Sequence, residues 1–219
     1  MALAQLGAGW SPYLSRVVAA LARSVAPPPA FERLASTLLD LTVSWNAKMD
    51  LTAAKTPEEL VDLTFADAMA LFGREELRPD EEWLDVGSGS GAPGFPLALL
   101  EPRLRVSLLE PMQKRVAFLR TLVGTLGVRA QVLRARVEDV AGASTDVAIS
   151  RATLPPADWL REGARLARRE VWVLLAREAP PVCAGWAART DFTFEWPLTG
   201  RQRRLVSFEP AALGSGAGK

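Results

Sequence analysis

The residues best suited to chemistry lie in one run, Asp85-Val86-Gly87-Ser88-Gly89-Ser90-Gly91-Ala92-Pro93-Gly94, which follows an apolar stretch (Trp83 to Val86) and precedes one of helical character. Glycines at alternating positions adopt dihedrals that a Cβ forbids and let the backbone approach a ligand closely. Gly89, Gly91 and Gly94 also spell the G-x-G-x-x-G of dinucleotide-binding turns, and Glu110 ends the next apolar run, where a ribose-binding acid belongs. Spacing alone does not choose between ligands.

Ligand charge does discriminate. A pyrophosphate seeks helix N–H groups with no anion nearby, whereas the methionine end of S-adenosylmethionine carries an ammonium and a sulfonium. Asp85, two residues ahead of Gly87, suits the cation and would repel the diphosphate. A charge-assisted hydrogen bond there is worth about 1.5–3 kcal/mol. Hydride chemistry also lacks its usual residues, since the chain has no histidine and its single tyrosine is Tyr13. The expected donor site therefore comprises Asp85, Gly87, Gly89, Gly91 and Ala92, with Glu110 accepting ribose hydroxyls. Arg136-Val137-Glu138 follows the third apolar run and could reach an adenine edge. Ser150-Arg151 ends the fourth, so Arg151 is expected near a carboxylate or a phosphate. Each also has a plainer reading: Glu110 as a surface acid, 136–138 as a solvated loop, Arg151 as an ion-pair residue.

The elements that must position these residues can be read from periodicity. Residues up to about 80 are helical in pattern, with Ser11-Pro12 as a cap and first-turn pair, Pro27-Pro28-Pro29 as a break, and a second helix from Phe31 to Trp45. A third opens at Thr56-Pro57-Glu58-Glu59, a capping box, with Leu60, Leu63 and Leu71 among its apolar positions. Asp80-Glu81-Glu82 closes this part. Short apolar runs then alternate with amphipathic ones: Trp83 to Val86, a helix after Pro93, Val106 to Leu109, a helix from Met112 to Leu126 stopped by Gly127, and Ala130 to Leu133. Val147 to Ile149, a helix around Trp159 to Ala167, and Val171 to Ala176 continue the series. The pattern predicts βαβ units and a parallel sheet. Phe192 to Trp196 and Arg204 to Phe208, separated by Pro197 and Gly200, predict an antiparallel pair at the end. The expected division is a helical cap at 1–80, a donor-binding α/β unit at 81–210 and a flexible tail at 211–219.

Composition limits the chemistry further. With 26 basic against 25 acidic residues, overall charge neither demands nor excludes a nucleic acid. One cysteine, Cys183, and no histidine argue against a disulfide framework or a metal site. No long apolar run predicts a membrane span, and a cytoplasmic, monomeric protein is expected. Basic residues cluster at Lys114-Arg115 with Arg120, at Arg161, Arg165, Arg168 and Arg169, and at Arg201, Arg203 and Arg204. Such clusters read equally as solvated faces or phosphate contacts. Trp45, Trp83, Trp159, Trp172 and Trp196 lie in or beside apolar runs and are expected in the core.

Taken together, the motifs from Trp45 to Arg177 resemble those of the 16S ribosomal RNA guanine-N7 methyltransferases (RsmG, the glucose-inhibited division protein B family). Trp45-Asn46 followed by Leu51-Thr52 is similar to its W-N-x-x-x-N-L-T, with Asp50 in place of the second asparagine, and Asp67 falls where its helix carries an aspartate. Asp85 to Pro96, Glu110 with Lys114-Arg115, Phe118 and Leu119, Arg136-Val137-Glu138 and Ser150-Arg151-Ala152 follow its later motifs. The resemblance implies a class I, Rossmann-like α/β methyltransferase: a mostly parallel seven-stranded sheet with an antiparallel C-terminal edge and an N-terminal helical cap. It implies that Gly87, Ala92, Val137, Glu138 and Arg151 contact S-adenosylmethionine, and that 16S ribosomal RNA or the small subunit is the partner. Lys114, Arg115, Arg151 and Arg177 are the expected RNA contacts. The chain departs from the family at Leu63-Thr64, where an Arg-His pair is usual, and at Arg177-Glu178, where Lys-Gly is usual. Both leave the glycine loop untouched and bear on the substrate. A small-molecule or protein methyltransferase of this fold, and a relative that binds without turnover, are the alternatives.

The implied reaction agrees with the composition. Guanine N7 keeps a lone pair in the neutral base, so it attacks a sulfonium methyl without prior deprotonation, and catalysis reduces largely to positioning. A chain without histidine can do this. Carbon-5 methylation of cytosine needs a cysteine nucleophile, and Cys183 lies beside Pro180-Pro181, far in sequence from the glycine loop. Exocyclic-amine methylation usually uses an N-P-P-Y-like run after the fourth strand, where this chain reads Ser150-Arg151-Ala152-Thr153.

Overall fold

The computed structural model describes residues 3–22, 26–73 and 77–211, so the expected tail lies, beyond Ala211, outside the described residues. A 3-10 turn (Gly7–Trp10) leads into α1 (Ser11–Leu21), followed by α2 (Phe31–Asn46), α3 (Pro57–Val61), a π-helical turn (Asp62–Ala66) and α4 (Asp67–Phe72). The α/β part runs β1 (Glu82–Val86), α5 (Gly94–Leu100), β2 (Arg105–Leu109), α6 (Gln113–Leu126), β3 (Ala130–Leu133), a 3-10 turn (Val137–Asp139) and β4 (Thr145–Ser150). It ends with α7 (Pro156–Leu166), β5 (Ala167–Leu175), β6 (Trp186–Glu195) and β7 (Gln202–Pro210).

These elements follow from local sequence. In α2, Phe31, Ala35, Leu38, Leu39, Thr42 and Val43 recur at helical spacing and are buried. In α3 the Thr56 side chain accepts from the Glu59 backbone N–H at 3.2 Å, while the Glu59 carboxylate reaches the Lys55 N–H at 2.8 Å, one residue further back than a capping box requires. Helix α6 ends at Gly127, whose φ of +62° supplies the left-handed cap. The first helix differs from expectation. Ser11 is its first residue, with no side-chain cap bond, and the start is secured from α2 instead. There the Asp40 carboxylate accepts from the Leu6 and Gly7 N–H groups and the Trp10 indole at 2.8–3.1 Å.

The seven strands lie in the order β3-β2-β1-β4-β5-β7-β6. β1 pairs in parallel with β2 and β4, and β7 runs antiparallel between β5 and β6. The terminal pair is thus longer than its apolar runs suggested, because β6 is an edge strand with polar residues outward and pairs back to Trp186. Likewise Glu82, assigned to the end of the helical part, is the first residue of β1, and β5 starts directly after α7. Along β1, residues alternate between faces. Leu84 and Val86 join Trp159, Leu160 and Val171 under α7. Trp83 joins the other face, where Trp10, Leu39, Phe65, Phe95 and Phe118 form a cluster continuous from the N-terminal helices to the sheet. Asp85, in step with Trp83, faces α5. No helix among the described residues is long and apolar enough to cross a membrane.

Candidate functional site

The chain reverses its direction of sheet growth between β1 and β4, and the carboxyl ends of those strands are where an open α/β sheet holds a ligand. The glycine loop leaves β1 there. Gly87 and Ser88 donate backbone N–H bonds to the Leu109 carbonyl at 2.9 and 3.1 Å, which ties the loop to β2. Ser150 and Thr153 donate their hydroxyls to the Val86 carbonyl at 2.7 and 3.1 Å, which ties β4 to the same point.

Within this frame the acids act through the backbone. Asp85 is buried, and its Oδ2 accepts the Gly94 N–H at 3.1 Å while Oδ1 has no partner. Burial pushes its pKa up to about 7 against the opposing effects of the Gly94 bond and the Arg151 charge. Glu110, also buried, accepts from Gly89 N–H at 3.0 Å through Oε2 and from Met112 N–H at 2.9 Å through Oε1. Both acids therefore hold the turn in shape. Each carboxylate oxygen has two acceptor sites, so Glu110 retains capacity for a ligand hydroxyl.

Two cavities flank the end of β4. One, of about 230 Å³, is bordered by Gly87, Pro111, Val137, Glu138, Thr153 and Leu154. A Cβ at Gly87 would run into the Thr153 side chain, and its φ of +73° suits only glycine, so this residue opens the cradle. The second cavity, of about 260 Å³, is bordered by Leu63, Asp67, Arg151, Glu178, Trp196 and Arg203. Leu154 borders both.

Of the residues singled out from sequence, Gly87, Val137 and Glu138 share the first cavity and Arg151 lines the second. Gly89 is held against Glu110. Gly91 and Ala92 are turned inward: a Cβ on Gly91 would sit 3.2 Å from Phe95 and 3.4 Å from Leu119. Ala92, joined to Pro93 by a cis peptide, is buried. Lys114 is exposed on α6, and Arg115 lies 4.0 Å from Glu110. Arg177 is exposed just past β5, outside the second cavity's lining, whereas its neighbour Glu178 borders that cavity with its carboxylate turned back onto the Ala176 and Arg177 N–H groups.

Most residues of the other basic clusters are committed to structure. Arg165 donates to the Val137 and Val140 carbonyls at 2.8 and 2.7 Å, bracing the loop that borders the first cavity. Arg161 pairs with Asp158, Arg168 with Glu82 and Asp146, Arg201 with Glu59 and Arg204 with Asp191. Four of the five tryptophans expected in the core are buried, while Trp45 is half-buried with its ring 5.6 Å from Phe118. Asn46 beside it accepts from the Leu51 and Thr52 N–H groups at 2.9 and 3.0 Å, so the motif spanning 45–52 folds the exit from α2.

The structure adds what periodicity hides. Arg151 Nη1 donates to the Leu63 carbonyl and to Asp67 Oδ2, the latter at 3.3 Å. The Trp196 indole donates to Asp67 Oδ1 at 2.9 Å, and the Arg203 guanidinium lies 3.9 Å from the Trp196 ring centre. The available signal is a pair of acids, Asp62 and Asp67, set among the mostly apolar residues of 60–72.

Comparison with known proteins now has a geometry to meet. Residues 32–177 match the family profile of the rRNA small subunit methyltransferase G proteins. The protein of that name from Anaeromyxobacter sp. is 34% identical over 209 residues, covering 88% of this chain and 94% of its own. Its counterpart from Myxococcus xanthus is 38% identical over 194 residues, covering 82% and 87%. Among solved structures, a SAM-dependent methyltransferase from Aquifex aeolicus superimposes with a TM-score of 0.51 at 19% identity, over 76% of this chain and 97% of that one, a likeness of fold. A profile match over residues 32–177 and relatives 34% and 38% identical over most of the chain show the family, and the chain belongs to that of rRNA small subunit methyltransferase G.

Proposed function

We propose that this protein transfers a methyl group from S-adenosylmethionine to N7 of a guanine in 16S ribosomal RNA. The observation that carries the reading is the pairing of cavities at the end of β4, one opened by Gly87 and the other lined by Arg151. The first cavity fits the donor. Gly87 leaves room that a Cβ would fill, and Asp85 keeps a buried carboxylate oxygen without a partner beside the turn. Asp85, Glu110, Val137 and Glu138 would hold the donor, with the two acids on its cationic and ribose ends. When bound, it supplies an electrophilic methyl on a sulfonium.

The chain's own residues then have a limited task. Guanine N7 needs no base, so the second cavity has only to hold the ring in line with the methyl. Arg151 lies at the junction, where a guanidinium can meet the donor's carboxylate or an RNA phosphate. Lys114, Arg115 and Arg177 would extend RNA contact along the exposed rim. A ribosomal substrate would be met in the cytoplasm, which is the location that this reading assigns.

The test is incubation with tritiated S-adenosylmethionine and, in parallel, small subunits, bare ribosomal RNA and total protein extract, with mapping of the label. Label on guanine N7 of small-subunit RNA is expected. Label on protein or on another base would replace the substrate assignment. Donor binding without label anywhere would make this a binding relative.

A further inference from the structure

The second cavity contains a relay that the methyl-transfer reading does not itself require. Its parts come from three distant segments: the π-helical turn with the start of α4, the residue after β4, and the β6–β7 connection with the start of β7. In an α-helix, residues five apart do not share a face, but a π turn brings i and i+5 into line. Asp62 and Asp67, five apart, both point at the β6–β7 connection. Asp62 accepts from the Leu198 and Thr199 N–H groups and the Thr199 hydroxyl at 2.8–3.2 Å, and Asp67 accepts from the Trp196 indole at 2.9 Å. The same turn presents the Leu63 carbonyl to Arg151.

Arg151 is thus gripped through one nitrogen, Nη1, by Leu63 and Asp67, while Asp67 is fixed by Trp196. Asp67 and Trp196 are buried, so little competes with these bonds. On its face Trp196 carries Arg203, and Arg151 and Arg203 border the same cavity. We infer that Trp196 is a positioning residue for the methyl acceptor: its N–H orients Arg151 through Asp67, and its ring face seats Arg203, so that two flat cations are set against one electron-rich base and its phosphate. Truncating the indole N–H leaves Arg203 a ring to stack on but unlocks Asp67. Guanidinium planes stack on bases and pair with phosphates, and this pair supplies both modes at a single nucleotide. The inference rests on the preceding reading, since it assigns the second cavity to the acceptor.

The experiment compares wild type, Trp196→Phe and Asp67→Asn, each checked by thermal melting. Asp67→Asn keeps an acceptor for the indole while weakening the hold on Arg151, so it serves if Trp196→Phe does not fold. Methyl transfer to small-subunit RNA is measured as separate kcat and KM, and S-adenosylhomocysteine affinity by calorimetry, which also counts folded sites. A fall of about tenfold in kcat/KM per folded site, at least severalfold greater than any fall in nucleoside affinity, is expected. Unchanged kcat/KM per folded site, as a purely structural role would give, overturns the inference. So does a loss of nucleoside affinity that accounts for the whole fall in kcat/KM, which would confine Arg151 to the donor side. If wild type itself labels no RNA, the functional reading fails first and takes this one with it.

Discussion

Asp85 keeps a carboxylate inside the protein with one oxygen bonded and the other bare. Its pKa, about 7 in the folded chain against an ordinary 3.8, means that the folded state binds more protons than the unfolded one between those values. The contribution of Asp85 to the stability of the ligand-free protein should therefore be fully present below about pH 4 and be lost as pH rises through 7, by a few kcal/mol at most. Asp85→Asn, which retains an acceptor for Gly94, should flatten that fall. Urea unfolding of both proteins at pH 5 and 8 checks this, and parallel slopes would place the titration elsewhere. A bound cation reverses the sign, so the variant should lose donor affinity by about tenfold at pH 8, the order of one charge-assisted bond. At Gly87 a Cβ faces both Thr153 and a positive φ. Gly87→Ala should abolish measurable nucleoside binding in calorimetry while the melting temperature falls only modestly, the strain being of order 1–3 kcal/mol. Legibility differs between these two residues. The need for glycine at 87 is visible in the chain because steric requirements are local. That Asp85 and Glu110 spend their oxygens on Gly94, Gly89 and Met112 is not, because those partners are set by how the turn closes.

Among the elements, periodicity located most helices and strands because burial on one face leaves its mark every three or four residues, or every two. It missed features that depend on a partner distant in sequence. The start of α1 is one, for Asp40 on α2 rather than Ser11 receives the orphan N–H groups. Asp40→Ala would strand the Leu6 and Gly7 donors and the Trp10 indole, and about 2–4 kcal/mol of stability should be lost on the ordinary cost of unsatisfied groups. Denaturant titration measures the loss, and methyl transfer per folded molecule should not change, since none of these groups borders either cavity. The π turn is another. Leu60, Leu63 and Leu71 suggest a continuous helix, and only the fixed position of the β6–β7 connection explains why Asp62 and Asp67 must be aligned. The basic runs were ambiguous for a related reason. Arg165 and Arg168 are indistinguishable in sequence from a phosphate track, and the structure spends them on the Val137–Val140 loop and on Glu82 and Asp146.

Across the whole molecule, the alternation of strands and helices announces a parallel sheet, but the order β3-β2-β1-β4-β5-β7-β6 is a property of three-dimensional closure. We propose residues 1–80 as a cap on a donor-binding unit at 81–210, and the packing says how dependent that unit is. One apolar cluster runs from Trp10, Leu39 and Phe65 to Phe95, Leu108 and Phe118 without interruption. Trp45 packs on Phe118, and the second cavity takes Leu63 and Asp67 from the cap. Removing the cap would expose this face of α5 and α6 as a broad apolar surface, of the kind that drives association rather than folding. A chain beginning at Glu81 should therefore show no cooperative melting transition and should bind a hydrophobic dye, while the full chain melts in one step. Supplying residues 1–80 as a separate chain should restore both the transition and S-adenosylhomocysteine binding if the cap's role is to complete the core. A truncated chain that melted cooperatively and bound the nucleoside with full affinity would show that the sheet carries a core sufficient by itself, and would leave the cap with the acceptor alone.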